Sequence, residues 1–321
     1  MRSLFTVSLA AFVIWSAALG AASAQADGGT IRYRPTEEIA AARADQPTRP
    51  PLPALWRASR GDADVYLFGT LHILPDDVEW RGPAFADAMA DAETTYFETE
   101  TDSPRAQREM NQLVQRYGLS QRGKLSTRVG PERWARFSAS AASLGLNASD
   151  FEGYEPWLAI LSLTLAAIDK TGFSSGEGVD DALQAQAGQE GDDVKYLEPL
   201  KTQILALASL DADDALANFD ASLEDLDNIK KETDALLAAW RTGDVAMIES
   251  LALEDLRAQA PIAYEALFVA RNDDWLRQID RMLSRNSERD AFVAVGAGHL
   301  VGSEGLIARL KASGAEVERL Q

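Results

Sequence analysis

The sequence predicts an α/β fold with a central β-sheet built from two βαβ-like units, each carrying a Gly-x-x-His, and a large helical insertion between them. Two observations carry this reading. Short apolar runs at Val65 to Phe68 and at Ala291 to Val295 each lead into the same pattern, Gly69-Thr70-Leu71-His72 and Gly296-Ala297-Gly298-His299. Between them, from Arg105 to about Ala260, the apolar spacing is mostly helical. These two histidines are the only ones in 321 residues.

The N-terminus reads as a secretory signal. Arg2 is its basic start, Leu4 to Leu19 is apolar except for Thr6, Ser8 and Ser16, and Ala22-Ser23-Ala24 fits the small-residue cleavage rule. Leu4 to Ala22 is also about long enough to span a bilayer as an uncleaved anchor, but the Ala-x-Ala site favours cleavage after Ala24. The domain scheme is residues 1–24 as signal peptide, 25–54 as a disordered leader rich in alanine and proline, and 55–321 as the α/β domain. The protein is therefore expected to be periplasmic or secreted, with no stable membrane anchor once cleaved. Removing 24 of 321 residues leaves 297, enough for a sizeable core. It also removes one positive charge, taking the net charge from −19 to −20. So acidic a body disfavours nucleic acid and anionic lipid as partners. Cysteine is absent, which excludes disulfides, thiolate metal sites and a lipoprotein anchor.

Taken in order, Val65 to Phe68 is a buried strand that Gly69 ends. Pro83 to Asp91 is a helix with proline in its first turn and Phe85 and Met89 on one face. Thr94 to Phe97 is β-branched and aromatic, a second strand running into Glu98-Thr99-Glu100. Pro156 to Ile168 is an apolar helix, with Leu158, Leu161, Leu165 and Ile168 on one side, and Val179 to Ala187 a shorter one. Val194 to Leu197 is a strand ending at Glu198-Pro199; Leu200, Ile204 and Leu207 resume the helical period. Asp211 to Trp240 is acidic enough to suggest surface-exposed helices. Trp275, Ile279, Met282 and Leu283 mark an amphipathic helix, Ala291 to Val295 a strand, Gly302 to Ala312 a helix and Glu316 to Leu320 a final strand.

Functional sites in such folds lie at the carboxyl ends of strands, where His72, Glu98 and His299 all fall. Gly69 and Gly296 let the backbone turn sharply and approach a neighbour closely. An imidazole three residues on can bind a metal or move a proton. Glu98 and Glu100 share a face of an extended segment. Glu98 directly follows Tyr96-Phe97 and is the better candidate; Glu198 also ends a strand. Two imidazoles and a carboxylate form a mixed N/O set that suits manganese, cobalt, iron or zinc, in a common catalytic ligand count. Gly172-Phe173-Ser174-Ser175-Gly176 matches Gly-x-Ser-x-Gly, but it follows a helix where a nucleophile elbow needs a strand. Gly296-Ala297-Gly298 with Gly302 leaves too little chain for a dinucleotide fold. Trp157, Trp240 and Trp275 fall on apolar helix faces and read as core.

Leu67-Phe68-Gly69-Thr70-Leu71-His72, Tyr96-Phe97-Glu98 and Val295 to Gly302 together resemble the TraB/GumN family. Arg271-Asn272-Asp273-Asp274-Trp275 is similar to that family's Arg-Asn-x-x-Trp stretch, and Gly178-Val179-Asp180 and Leu197-Glu198 followed by Gln203 fit its middle region. The resemblance covers Leu55 to Gln321. The family includes the Tiki proteins, metal-dependent proteases with two Gly-x-x-His motifs and a glutamate, and its fold is similar to those of erythromycin esterase and ChaN-like haem-binding proteins. The resemblance implies an exported metal-dependent hydrolase acting on a peptide or small-molecule substrate. His72, Glu98 and His299 would hold a divalent metal (manganese, cobalt or zinc), with Glu98 or Glu100 as an alternative general base. Gly69, Glu100, Glu198, Arg271, Asn272 and Gly296 form a second tier. The esterase likeness keeps open a metal-free hydrolase with a histidine base. The haem-protein likeness keeps open a non-catalytic binder with histidine axial ligands.

Overall fold

The computed structural model describes residues 52–321, except 76–77, 102, 176–177, 191–192, 213–214 and 285–289. The expected signal peptide and its cleavage site lie outside the described residues. No described helix is long and apolar enough to cross a membrane.

Six strands form one sheet in the order β6-β4-β7-β2-β1-β8. They are β1 (Leu55–Arg60), β2 (Ala63–Thr70), β4 (Ala92–Phe97), β6 (Asp193–Tyr196), β7 (Asp290–Gly296) and β8 (Glu316–Arg319); β3 (Ile73–Leu74) and β5 (Ser174–Ser175) pair separately. The four strands β6, β4, β7 and β2 are parallel, while β1 runs antiparallel to both β2 and β8. Gly61, at φ +66, makes the tight turn that joins β1 to β2. β2 and β7 are covered on both faces, which is why their sequences read as continuous apolar runs rather than alternating ones.

The two histidine units are interleaved rather than side by side. β2 and β4 flank β7, so the last long strand of the chain inserts between the first unit's two strands. Gly69 is in register with Val295, and Thr70 with Gly296, which sets the two Gly-x-x-His segments at adjacent strand ends. Beyond β4 and β6 the ladder continues, with Leu197 N–H donating to Phe97 O at 2.9 Å and Glu198 N–H to Glu98 O at 3.0 Å. Glu98 and Glu198 therefore leave the sheet side by side.

The sheet separates two cores. Phe68 and Phe292 face helix α1 (Pro83–Asp91) and the insertion; the rings of Phe68 and Phe85 lie 4.9 Å apart, and those of Phe85 and Phe292 5.4 Å. Leu67, Val293 and Val295 face the other way, against Trp275, Ile279 and Leu283 of α3 (Ala270–Ser284) and Leu306 and Leu310 of α4 (Leu306–Ala312). Helix α2 (Val179–Glu190) starts at the strand ends. Two expectations change. The helix Pro156–Asp169 is buried nearly all round rather than on one side, as the axis of the insertion. The acidic stretch from Asp211 to Trp240 forms amphipathic helices that bury Phe219, Leu236 and Trp240, with Glu224, Asp227 and Asp234 on the outer faces and Asp225 buried with the core. The last helix starts at Leu306, after a turn in which Gly302 takes φ +77.

Candidate active site

Close packing at the strand ends brings the first motif against the second. A Cβ on Gly69 would stand 3.0 Å from Ala297 Cα and 3.1 Å from Ala297 Cβ, so only glycine lets the two loops touch this closely. Trp240 Nε1 donates to Gly69 O at 2.7 Å and fixes that turn. The start of α2 packs on the backbone of His72: Val179 N–H donates to Leu71 O at 2.9 Å, and a Cβ on Gly178 would meet His72 O at 2.5 Å.

This docking delivers Asp180, in the first turn of α2, to His72. Asp180 Oδ2 lies 2.7 Å from His72 Nδ1, a close ionic contact outside hydrogen-bond angles. Its other oxygen accepts from Thr70 Oγ1 at 2.8 Å. All three side chains are buried. Burial favours the neutral imidazole, but Asp180, reinforced by Glu98 and Asp181, outweighs it and raises His72 to about 9.

The second histidine has different neighbours. Arg271 projects from the first turn of α3, just after a π-helical turn over Glu265–Val269. The residue is 2% exposed. Nη1 donates to Leu267 O at 2.9 Å and lies 2.8 Å from His299 Nε2. Nη2 donates to Glu98 Oε2 at 2.7 Å and to Glu198 Oε1 at 2.6 Å, and Nε donates to Glu198 Oε1 at 2.9 Å. Asn272 Oδ1 is 2.7 Å from His299 Nδ1, and Asn272 Nδ2 donates to Glu304 O at 2.9 Å. Trp275 lies 4.4 Å from the His299 ring and donates through Nε1 to Glu198 Oε2 at 3.1 Å.

Glu98 is buried, and both its oxygens are engaged. Oε1 accepts from Gly296 N–H at 2.7 Å; Oε2 accepts from Arg271 and from Gln203 Nε2 at 3.1 Å. Burial alone would raise its pKa; Arg271, followed by His299, His72 and the Gly296 amide, lowers it to about 2. Burial raises Glu198 despite Arg271. Burial and Arg271 together hold His299 well below its ordinary value.

The structure thus gathers His72, Glu98, His299, Glu198, Arg271, Asn272, Gly69 and Gly296 at one end of the sheet. Glu100 makes none of these contacts. β4 ends at Phe97, so the alternation that would align Glu100 with Glu98 stops there. Asp180 and Gln203 received no role from the sequence, although both sit within segments that carried the family resemblance. Trp275, read as core, is core and a hydrogen-bond donor at once. Among the described residues, cavities in the helical region include one of about 20 Å³ bordered by Trp157 and Phe219 and one of about 260 Å³ bordered by Ser140 and Lys170. Neither is bordered by the strand-end cluster.

The expected metal ligands do not fit a divalent ion as they stand. His299 gives one ring nitrogen to Arg271 and the other to Asn272, which leaves His72 and Glu98 alone. The same engagement removes His299 as a haem ligand. Among the described residues no group of three or more histidine and acidic side chains is arranged to hold a metal.

No curated protein and no solved structure matches the chain. The TraB/PrgY/gumN family model matches residues 54–319, spanning both Gly-x-x-His motifs, Glu98 and the Arg271-Asn272 pair, and the chain belongs to that family.

Proposed function

We propose that this protein is a hydrolase of amide or ester bonds in which His72 moves the proton and Asp180 holds the imidazole. The observation that supports this best is the buried pair of His72 and Asp180, 2.7 Å apart, beside an ionised Glu98 at the carboxyl ends of parallel strands. A histidine whose Nδ1 faces a buried carboxylate is the recurrent arrangement for general acid–base chemistry. Nε2 is then the nitrogen left for substrate. A water oxygen bonds to the carbonyl carbon while the bond to the leaving nitrogen or oxygen breaks. His72 Nε2–H protonates the leaving group, and the proton lost by water restores His72. Glu98, kept negative by Arg271 and the Gly296 amide, favours the imidazolium. Peptides are the first substrates to test, followed by small esters.

The test is a cleavage screen of peptide and ester libraries with the purified protein, with and without chelator. His72→Ala should abolish turnover, and Asp180→Asn should lower it by roughly 100- to 10,000-fold. Turnover that disappears with chelator and returns with manganese, cobalt or zinc would replace this reading with the metal-dependent one. A Soret band at one haem per chain would replace it with a binding function.

A further inference from the structure

We infer that Arg271 is the resident cation of this site, standing where a divalent metal would sit, and that the two Gly-x-x-His histidines are therefore unequal. Guanidinium does not lose its proton in proteins, so Arg271 Nη1 can only donate. At 2.8 Å, His299 Nε2 must be its acceptor, and the proton of the neutral ring then lies on Nδ1, facing Asn272 Oδ1 at 2.7 Å. Asn272 is oriented independently. Its Nδ2 donates to Glu304 O at 2.9 Å, which turns Oδ1 toward the ring. Every donor in this chain meets an acceptor, and only one tautomer satisfies it. His299 keeps no lone pair for a metal and no proton for a substrate. It is a positioning residue, and the chemistry is left to His72.

The surroundings of Arg271 are nevertheless those of a metal. His299 Nε2 is 3.9 Å from Glu98 Oε1, and ligand atoms on a tetrahedral zinc are about 3.4 Å apart. Glu198 approaches the same guanidinium at 2.6 Å. Removing the arginine exposes one imidazole nitrogen and two carboxylates, a set of three that suits zinc, cobalt or manganese. The wild-type site is a metal site in outline, filled by a side chain. This holds whether or not the protein is a hydrolase.

Metal binding tests it without any activity assay. Wild-type protein, His299→Ala, Arg271→Ala and the Arg271→Ala/His299→Ala double variant are titrated with Co²⁺, followed by visible absorption and by elemental analysis after dialysis. Wild type should show no Co²⁺ site that His299→Ala removes. Arg271→Ala should gain about one tight Co²⁺ per chain, and the double variant should lose it. Stoichiometric metal in wild type that depends on His299 overturns the inference, as does a folded Arg271→Ala that binds none. If Arg271→Ala does not fold, nitrogen NMR of the wild-type imidazoles decides. His299 should carry its proton on Nδ1 and not on Nε2; the opposite tautomer overturns the inference.

Discussion

Arg271→Met tests how far the site is held together by one buried charge. Methionine keeps most of the aliphatic stem and removes the guanidinium. The loss can be estimated by two routes. The ion pairs to Glu98 and Glu198, at 2.7 and 2.6 Å, are charge-assisted hydrogen bonds worth about 1.5–3 kcal/mol each. Both carboxylates then remain buried without a cation, and removing one partner of a buried ionic network typically costs about 3–5 kcal/mol. The two routes agree, and we expect Arg271→Met to lower the unfolding free energy by about 3–5 kcal/mol at neutral pH. Against a typical domain stability of about 5–15 kcal/mol, that is a large fraction. Glu198, raised by burial even beside Arg271, is the carboxylate readier to protonate once the arginine is gone. Adding Glu198→Gln to Arg271→Met should therefore recover about 1–2 kcal/mol, although Glu198→Gln alone destabilises. Urea unfolding of the four proteins at one pH measures the cycle. A loss below about 1 kcal/mol for Arg271→Met, or a double variant no better than the single, would refute the reasoning.

Two further outcomes follow from the packing and the charges. Gly178→Ala places a Cβ where His72 O lies 2.5 Å away, backbone against helix start. It should cost about 1–3 kcal/mol and pull Asp180 from His72, cutting turnover; unchanged stability and rate would show that α2 docks differently. Burial raises Asp225 to about 9, Asp211 to about 7 and Glu232 to about 7, with neighbouring acids adding to each. Between roughly pH 4 and 9 the folded state holds protons that the unfolded chain has lost, so stability should fall as pH rises. His72, raised to about 9, acts in the same direction: its contribution is full below its unfolded value and lost through 9. Glu98, lowered to about 2, acts oppositely and loses its contribution only as pH falls from about 4.5 to 2. Melting temperature should therefore peak at mildly acidic pH, and Asp225→Asn should flatten its alkaline fall. A melting temperature that climbs steadily from pH 5 to 8 would contradict these assignments.

The parts of this site legible in the sequence are those set by local pattern. Parallel strands covered on both faces leave continuous apolar runs, so β2 and β7 could be read. β4 could be read from its β-branched and aromatic residues and β6 from Val194 to Leu197, and Glu98 could be singled out because it follows the end of β4. Strand order could not be read. It depends on which chains pair over long separations, and nothing local says that β7 enters between β2 and β4. β1 was invisible for a related reason: Leu55 to Arg60 mixes apolar and basic residues because it pairs next to the edge strand β8. Asp180 stands 108 residues after His72 and reaches it only through the docking of α2. Arg271 did leave a signal. It falls four residues before Trp275 and eight before Ile279, in phase with an apolar stripe, whereas a surface arginine would fall out of phase. A charge on the buried face of a helix needs a buried partner, and the acids at the strand ends supply it.

The duplicated motif then has a physical meaning that differs from its appearance. Glycine and histidine recur because both segments leave parallel neighbouring strands in register and must turn within van der Waals contact of each other. The sheet fixes that much and no more. What each imidazole can do is decided by the helix that docks on it. A helix start presenting an aspartate to Nδ1 favours the charged form of His72. A helix presenting arginine and asparagine leaves His299 neutral with both nitrogens committed. Exchanging the docking residues, rather than the histidines, is therefore the change that should alter the chemistry. Asp180→Asn should lower turnover with the fold intact, and Arg271→Ala should turn the other histidine into a metal ligand.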